Sequence, residues 1–288
     1  MLDVNGDLIA DVIYAGDLLG NVWKIDISGN TAGSWDFAFG SATNPQPFYT
    51  AVEPDNVTPQ PITTQPRFVA HPDGGTMILV GTGKYLEASD NILPTPVFVN
   101  SFYGLRDTGS QIASGRSNLV EQTVSTSTSD PSVRIVSQNP VNYSGTVQGW
   151  HMDFTILNGE MIIANPTVLF TTLVFVTFAP INSPCSQNGT SFLMGLDAIS
   201  GGRTQGSVFD FDGDGTIDTN DYVDGGVASG KEIDATIGGP GIAINQQGGD
   251  VIYTGSLVGD GSGGANKEDA DSGRPGNART SWRIIEEY

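Results

Sequence analysis

Val12-Ile13-Tyr14-Ala15-Gly16-Asp17-Leu18-Leu19-Gly20 returns late in the chain as Val251-Ile252-Tyr253-Thr254-Gly255-Ser256-Leu257-Val258-Gly259. A fainter copy is Met77-Ile78-Leu79-Val80-Gly81-Thr82-Gly83-Lys84-Tyr85. Each copy reads as strand, glycine turn, strand. After the first, Asn21-Val22-Trp23-Lys24-Ile25-Asp26-Ile27-Ser28-Gly29 alternates apolar and polar with the period of two that a half-buried strand needs, then stops at glycine. Phe192-Leu193-Met194-Gly195-Leu196-Asp197-Ala198-Ile199-Ser200-Gly201 ends in the same way. Repeated hairpins of this kind are the sequence form of β-propeller blades. Helical periodicity is nearly absent, and 38 glycines and 16 prolines punctuate the chain throughout.

Working outward, three segments break the pattern: a Pro-rich stretch over 44–66, a Ser/Thr-rich run over 109–145 that is in part strand-like, and a Gly/Asp-rich span over 259–276. They read as long loops. The remainder suffices for roughly four blades at about 40–45 residues each. The expectation is one all-β domain over 1–288, a partial ring of modified blades cut from a longer propeller. The start fits this picture: Met1-Leu2-Asp3-Val4-Asn5 has no basic or apolar leader and opens two residues before an acidic loop, so the chain reads as a piece whose upstream part, signal included, lies elsewhere.

Composition narrows the function. The 288 residues carry 32 acidic against 12 basic side chains, a formal charge of −20, which would repel nucleic-acid phosphates and attract cations. The single cysteine, Cys185, cannot form an internal disulfide. The most apolar stretch, 167–181, is short, β-branched and bounded by Pro166 and Pro180, which suits buried strands rather than a membrane helix.

The chemistry concentrates in two aspartate-rich loops. Asp210-Phe211-Asp212-Gly213-Asp214-Gly215-Thr216-Ile217-Asp218-Thr219-Asn220-Asp221 has the spacing of a calcium loop. A hard cation needs six to eight oxygens, and carboxylates at loop positions 1, 3 and 5 converge when glycine at position 6 allows a sharp turn. Asp210, Asp212, Asp214 and Gly215 meet that demand. Thr216 would give its backbone carbonyl, Asp218 a direct or water-mediated oxygen and Asp221 a last carboxylate, with Ile217 pointing inward. Asp3-Val4-Asn5-Gly6-Asp7-Leu8-Ile9-Ala10-Asp11 repeats the pattern more weakly, with oxygens of Asp3, Asn5, Asp7 and Asp11 at positions 1, 3, 5 and 9, but Leu8 stands where glycine belongs. That position asks a bulky residue for a strained conformation, at a cost of about 1 kcal/mol or more. Calcium is the expected ion at both. The bland alternative is an Asp/Asn/Gly turn whose side chains satisfy only their own backbone.

These motifs, taken in order, carry a resemblance. DVNGDLIADVIYAGDLLGNVWKIDISG from Asp3, VGTGKYLEASD from Val80, SFYGL from Ser101, GWHMDF from Gly149 followed by Gly159-Glu160, FTTLVFVTFAP from Phe170, PCSQNGTSFLMGLDAISGG from Pro184 and SWRIIEEY from Ser281 together resemble the C-terminal propeller of the PilY family of type IV pilus tip proteins. The resemblance spans nearly the whole chain. It implies a modified quinoprotein-type ring whose Asp-rich loop, falling here on Asp3, Asn5, Asp7, Ile9 and Asp11, binds calcium and couples it to pilus extension and retraction, adhesion and twitching motility. It also implies an extracellular place at the pilus tip, reached through the periplasm, with minor pilins and a surface or host receptor as partners. No Arg-Gly-Asp motif occurs, so nothing is implied about integrins.

Catalysis has little support in the residues. The only histidines, His71 and His151, lie in a turn and in a strand, and no nucleophile elbow, HExxH motif or phosphate loop is present. The blade repeat raises the alternative of a quinoprotein dehydrogenase, but a ring-shaped scaffold does not make an enzyme and Trp23, Trp35, Trp150 and Trp282 are scattered. A dockerin-like module is a second alternative, which the glycine-rich 222–230 disfavours because no helix can follow the loop. The expectation is a calcium-binding, non-enzymatic domain.

Overall fold

The computed structural model describes residues 1–181, 189–234, 240–244, 250–255 and 265–270. Cys185, Trp282 and the motif from Ser281 lie outside them. In chain order, Val12–Gly16 (β1) and Asn21–Asp26 (β2) form the first hairpin, joined by Asp36–Phe37 (β3). A two-stranded ribbon of Gly40–Ser41 (β4) and Asn44–Pro45 (β5) follows, and then Tyr49–Thr50 (β6), which returns to β2. The second sheet contains Arg67–Ala70 (β7), Thr76–Gly81 (β8), Ser101–Asp107 (β9) and Leu119–Gln122 (β10). Val124–Thr126 (β11) and Val133–Val136 (β12) leave for the third sheet, while Gly149–Asp153 (β13) comes back between β10 and β9. The third sheet is completed by Thr167–Leu169 (β14), Thr172–Pro180 (β15), Gly189–Asp197 (β16) and Gly230–Ile233 (β17). Gly241–Ile244 (β18), Asp250–Gly255 (β19) and Ala265–Ala270 (β20) make a fourth.

The sheets are stacked in series, and alternation along the strands explains how. Ile78, Val80, Tyr103 and Leu105 face the first sheet, packing on Val12, Tyr14, Val22 and Phe48. Their strand neighbours Met77, Leu79 and Phe102 face the third sheet, packing on Phe175, Met194 and Leu196. On β15 the pattern repeats: Leu173 and Phe175 turn toward the second sheet, Val174 and Val176 toward Ile252 of the fourth. A strand buried on both faces must be a continuous apolar run, so every residue of Thr172–Pro180 is buried. This succession of face-packed, mainly antiparallel sheets is the propeller arrangement, and no sheet closes on itself among the described residues.

Local chemistry sets the first hairpin. The Asp17 carboxylate accepts from the backbone N–H groups of Leu19 and Asn21 at 2.8 and 2.9 Å and from the Trp23 indole N–H at 2.8 Å. Gly20, at φ +78°, sits where any Cβ would collide with the carbonyls of Ala51 and Gln60.

Several segments differ from the sequence reading. The faint third copy is not a hairpin: the strand after Gly81 begins only at Ser101, because the Gly83 N–H is committed to the Pro61 carbonyl at 2.7 Å. The span 259–276, read as a loop, holds β20, which pairs with β19 from Asp250↔Ala270 to Gly255↔Ala265. The span 109–145, read as in part strand-like, does carry strand, β10 to β12. The span 44–66 is largely irregular, but its Phe48, Tyr49, Ala51 and Ile62 are core residues of the first interface.

Candidate metal-binding loops

The loop over 210–221 connects β16 to β17 and starts from the core, since Phe209 is fully buried between the third and fourth sheets. Lys231 on β17 holds the Asp210 carbonyl through Nζ at 3.2 Å. From this anchor the chain folds around its first aspartate: Asp210 Oδ1 accepts from Gly213 N–H at 2.6 Å and Oδ2 from Gly215 N–H at 2.9 Å. Both glycines adopt positive φ, +79° and +83°, conformations that side chains disfavour. Asp212 Oδ1 accepts from Asp214 N–H, and Asp214 Oδ1 from Thr216 N–H. Each carboxylate spends part of its accepting capacity on the turn and has further lone pairs left over.

Among the described residues, Asp210, Asp212 and Asp214 form the one group of three carboxylate, imidazole or thiol side chains whose ligating atoms lie within 4.8 Å of one another. Asp210 is buried, and its partners are exposed. Burial pushes the Asp210 carboxyl up, but the Gly215 and Gly213 N–H groups outweigh it and hold the group below the ordinary carboxylate range. Asp212 goes the other way. The Asp214 N–H lowers it, while burial and the charges of Asp214, Asp221 and Asp210 leave its net pKa raised. Three carboxylates repel at this spacing, and a bound divalent cation would relieve that repulsion.

The remaining predicted ligands of this loop have backbone duties. Asp221 is fully buried, and its carboxylate accepts from the N–H groups of Phe211 at 2.6 Å, Asp212 at 3.3 Å and Asp218 at 2.8 Å, closing the loop on itself. Asp218 caps the single 3-10 turn Thr219–Asp221 by accepting from Asn220 N–H. Thr216 is exposed and Ile217 half-buried. The segment after the loop holds a tight bridge between Val223 and Gly226, not a helix.

The loop over 3–11 repeats this construction with one change. Asp3 accepts from Gly6 N–H at 2.6 Å and Leu8 N–H at 2.7 Å, as Asp210 does from Gly213 and Gly215. Asn5 accepts from Asp7 N–H and Asp7 from Ile9 N–H. The Gly6 N–H lowers the Asp3 pKa. Leu8 takes φ +72°, the conformation of Gly215, with 95% of its surface exposed. Asp11 at position 9 does the work of Asp221 at position 12: its Oδ2 accepts from the N–H groups of Val4 at 2.8 Å and Asn5 at 3.3 Å. The shorter loop therefore closes three residues earlier, with its last aspartate turned to the backbone. The spacing alone could not reveal this exchange.

Sequence reasoning also missed a buried polar cluster elsewhere. Arg116, from the 3-10 turn Gly115–Asn118, donates to Asp153 Oδ1 at 2.6 Å, His151 Nδ1 at 2.9 Å and the Val52 carbonyl at 3.0 Å. His151 and Asp153 lie two apart on β13, and that i, i+2 spacing was the only signal in the sequence.

An all-β chain of serially face-packed, mainly antiparallel sheets, with aspartate-rich loops between and before its strands, is a β-propeller protein with candidate cation sites. Comparison with known proteins identifies which. The family model for the PilY1 beta-propeller domain matches residues 1–130. The chain is 32% identical, over its full length, to the type IV pilus biogenesis factor PilY1 of Pseudomonas aeruginosa strain UCBPP-PA14, of which it spans 28%. A PilY1 homolog of Xylella fastidiosa is 33% identical over 72% of the chain, which covers 14% of that protein. The crystal structure of the Pseudomonas aeruginosa PilY1 C-terminal domain superposes with a TM-score of 0.75 at 30% identity, covering 95% of this chain and 60% of that one. The chain belongs to the PilY1 family and corresponds to its C-terminal propeller region.

Proposed function

We propose that this chain is a calcium-binding propeller region of a type IV pilus biogenesis factor, with no catalytic role of its own. The convergence of Asp210, Asp212 and Asp214 within 4.8 Å, on a loop whose two glycines are already in the required conformation, is the observation that carries the metal assignment. Spare oxygens of Asp210, Asp212 and Asp214 with the Thr216 carbonyl would hold the ion, and Asp218 would complete the shell directly or through water. In the loop over 3–11, Asp3, Asn5, Asp7 and the Ile9 carbonyl would do the same, with Asp11 bracing the turn. Bound calcium would neutralise the carboxylates and link ion binding to local order.

The pilus role rests on the family. Its relatives are named as biogenesis factors, and this chain spans about a quarter of their length. Adhesion, support of extension and retraction in twitching motility, a place at the extracellular pilus tip and contact with minor pilins are proposals on that basis. Among the described residues no helix is long and apolar enough to cross a membrane.

Calorimetric titration of calcium into the purified chain, paired with thermal melts with and without chelator, tests the metal assignment. One tight site or two, with a calcium-raised Tm, is expected. Asp210→Ala or Asp214→Ala should remove the tight site of the 210–221 loop, and an unchanged titration in either variant would refute that assignment.

A further inference from the structure

Beside the Arg116 cluster lies an open cavity of about 660 Å³, a size typical of small-molecule sites. His151 lines it and is only 6% exposed. Arginine can only donate, so the Arg116 contact makes His151 Nδ1 an acceptor and leaves the proton of the neutral ring on Nε2. That N–H has no partner among the described residues. Glu121 lines the same cavity, and the parallel pairing of β10 with β13 sets it directly opposite His151, about 4.8 Å away along the ladder. Its carboxylate also lacks a partner among the described residues. The cavity therefore presents one fixed donor and one free acceptor side by side.

The charges select the ligand. An anion is disfavoured because Asp153 already neutralises Arg116 and Glu121 would repel it. A metal ion is disfavoured because Asp153 is engaged by Arg116 and by Ser101 Oγ at 2.6 Å, with the guanidinium next to the imidazole. An apolar ligand would find only Pro54 and Ala113 as apolar side chains among the lining residues, and would leave the His151 N–H and the Glu121 carboxylate unpaired. A neutral molecule with adjacent hydroxyl groups satisfies both free partners at once, one oxygen accepting from the His151 N–H while its neighbour donates to Glu121. We propose that this cavity is a binding site for a neutral saccharide unit, oriented by His151 and Glu121 and braced by Arg116 and Asp153.

Ligand-observed saturation-transfer NMR on the whole chain tests this, with methyl glucoside, methyl galactoside, methyl mannoside and N-acetylglucosamine as probes and phosphate and tetramethylammonium as charged controls. At least one saccharide should saturate. The exposed substitution Glu121→Gln should weaken it about tenfold without disturbing the fold, and Ser117→Trp should abolish it by filling the cavity. Asp210→Ala should leave it unchanged, which separates this site from the metal loops. Binding by none of the saccharides, stronger binding of a charged control, or saccharide binding that survives both cavity variants would overturn the proposal.

Discussion

At the residue scale, Leu8 and Gly215 occupy the same turn position with φ values of +72° and +83°, one with a large side chain and one without. Leu8 makes up nothing by packing, because it is almost wholly exposed. The left-handed conformation costs a non-glycine residue about 1–2 kcal/mol, and the added freedom of glycine in the unfolded chain returns part of that. Leu8→Gly is therefore expected to stabilise the chain by roughly 0.5–1 kcal/mol and to tighten calcium at the 3–11 loop, read by denaturant melts and calorimetry. Weaker calcium binding in Leu8→Gly would show that the loop does not need this turn. The departure from glycine was legible in the sequence. The exchange of Asp11 for the role of Asp221 was not, because it depends on which N–H groups the folded loop brings under the carboxylate.

At the scale of elements, connections between sheets depend on a few polar side chains. Gln122, fully buried where β10 gives way to β11, donates to the carbonyls of Asn139 and Ser200 and accepts from Ser137 Oγ and Asn139 N–H, so the chain changes sheets around a satisfied amide. Tyr14 and Lys24 of the first sheet both reach Asp107 of the second, the lysine at 2.6 Å. Arg134 of β12 and Glu160, from the connection after β13, form an ion pair fully removed from water, with Nη2 to Oε2 at 2.9 Å and the guanidinium 3.6 Å from the Phe192 ring centre. Removing one partner strands the other charge, so Arg134→Met alone should cost about 3–5 kcal/mol. Arg134→Met with Glu160→Leu should cost far less than the sum of the two single changes, and urea unfolding of all three variants measures the difference. Strict additivity would argue against this coupling. The strands themselves were legible wherever one segment held the information, as in the alternation of 21–27 or the doubly buried run of 172–180. The parallel β10–β13 pairing was not, since β11 and β12 of another sheet separate its partners in the chain, and β20 was not, although it pairs with the preceding β19, because Ala265–Ala270 holds no β-branched or aromatic residue.

At the scale of the whole molecule, burial of the two histidines makes stability depend on pH. Burial, then the Arg116 charge, holds His151 down to about 4 against an Asp153 contribution in the opposite direction. Burial and Arg106 lower His71 as well. A histidine depressed on folding binds fewer protons folded than unfolded, so stability is full above the unfolded value near 6.5 and falls as pH drops toward the folded one. Between pH 6.5 and about 4 the chain is expected to lose on the order of 3 kcal/mol at His151. Below that window, carboxylates lowered on folding, such as Asp17, Asp26 and Asp210, lose their own contributions as they protonate. His151→Gln should flatten the decline between pH 6.5 and 4 in chemical unfolding, and an unchanged slope would exclude His151 as its source.

The sequence by itself determined the all-β class, the first hairpin, the family and the two aspartate loops, because each is written in residues close together: period-two alternation, glycine at turn positions, carboxylates two apart. Only the tertiary structure decided which oxygens converge and which are spent on the backbone, where the chain changes sheets, and that Arg116, His151, Asp153 and Glu121 share one cavity. Those arrangements come from strand register and sheet stacking, which join residues far apart in the chain and leave no periodic mark in it.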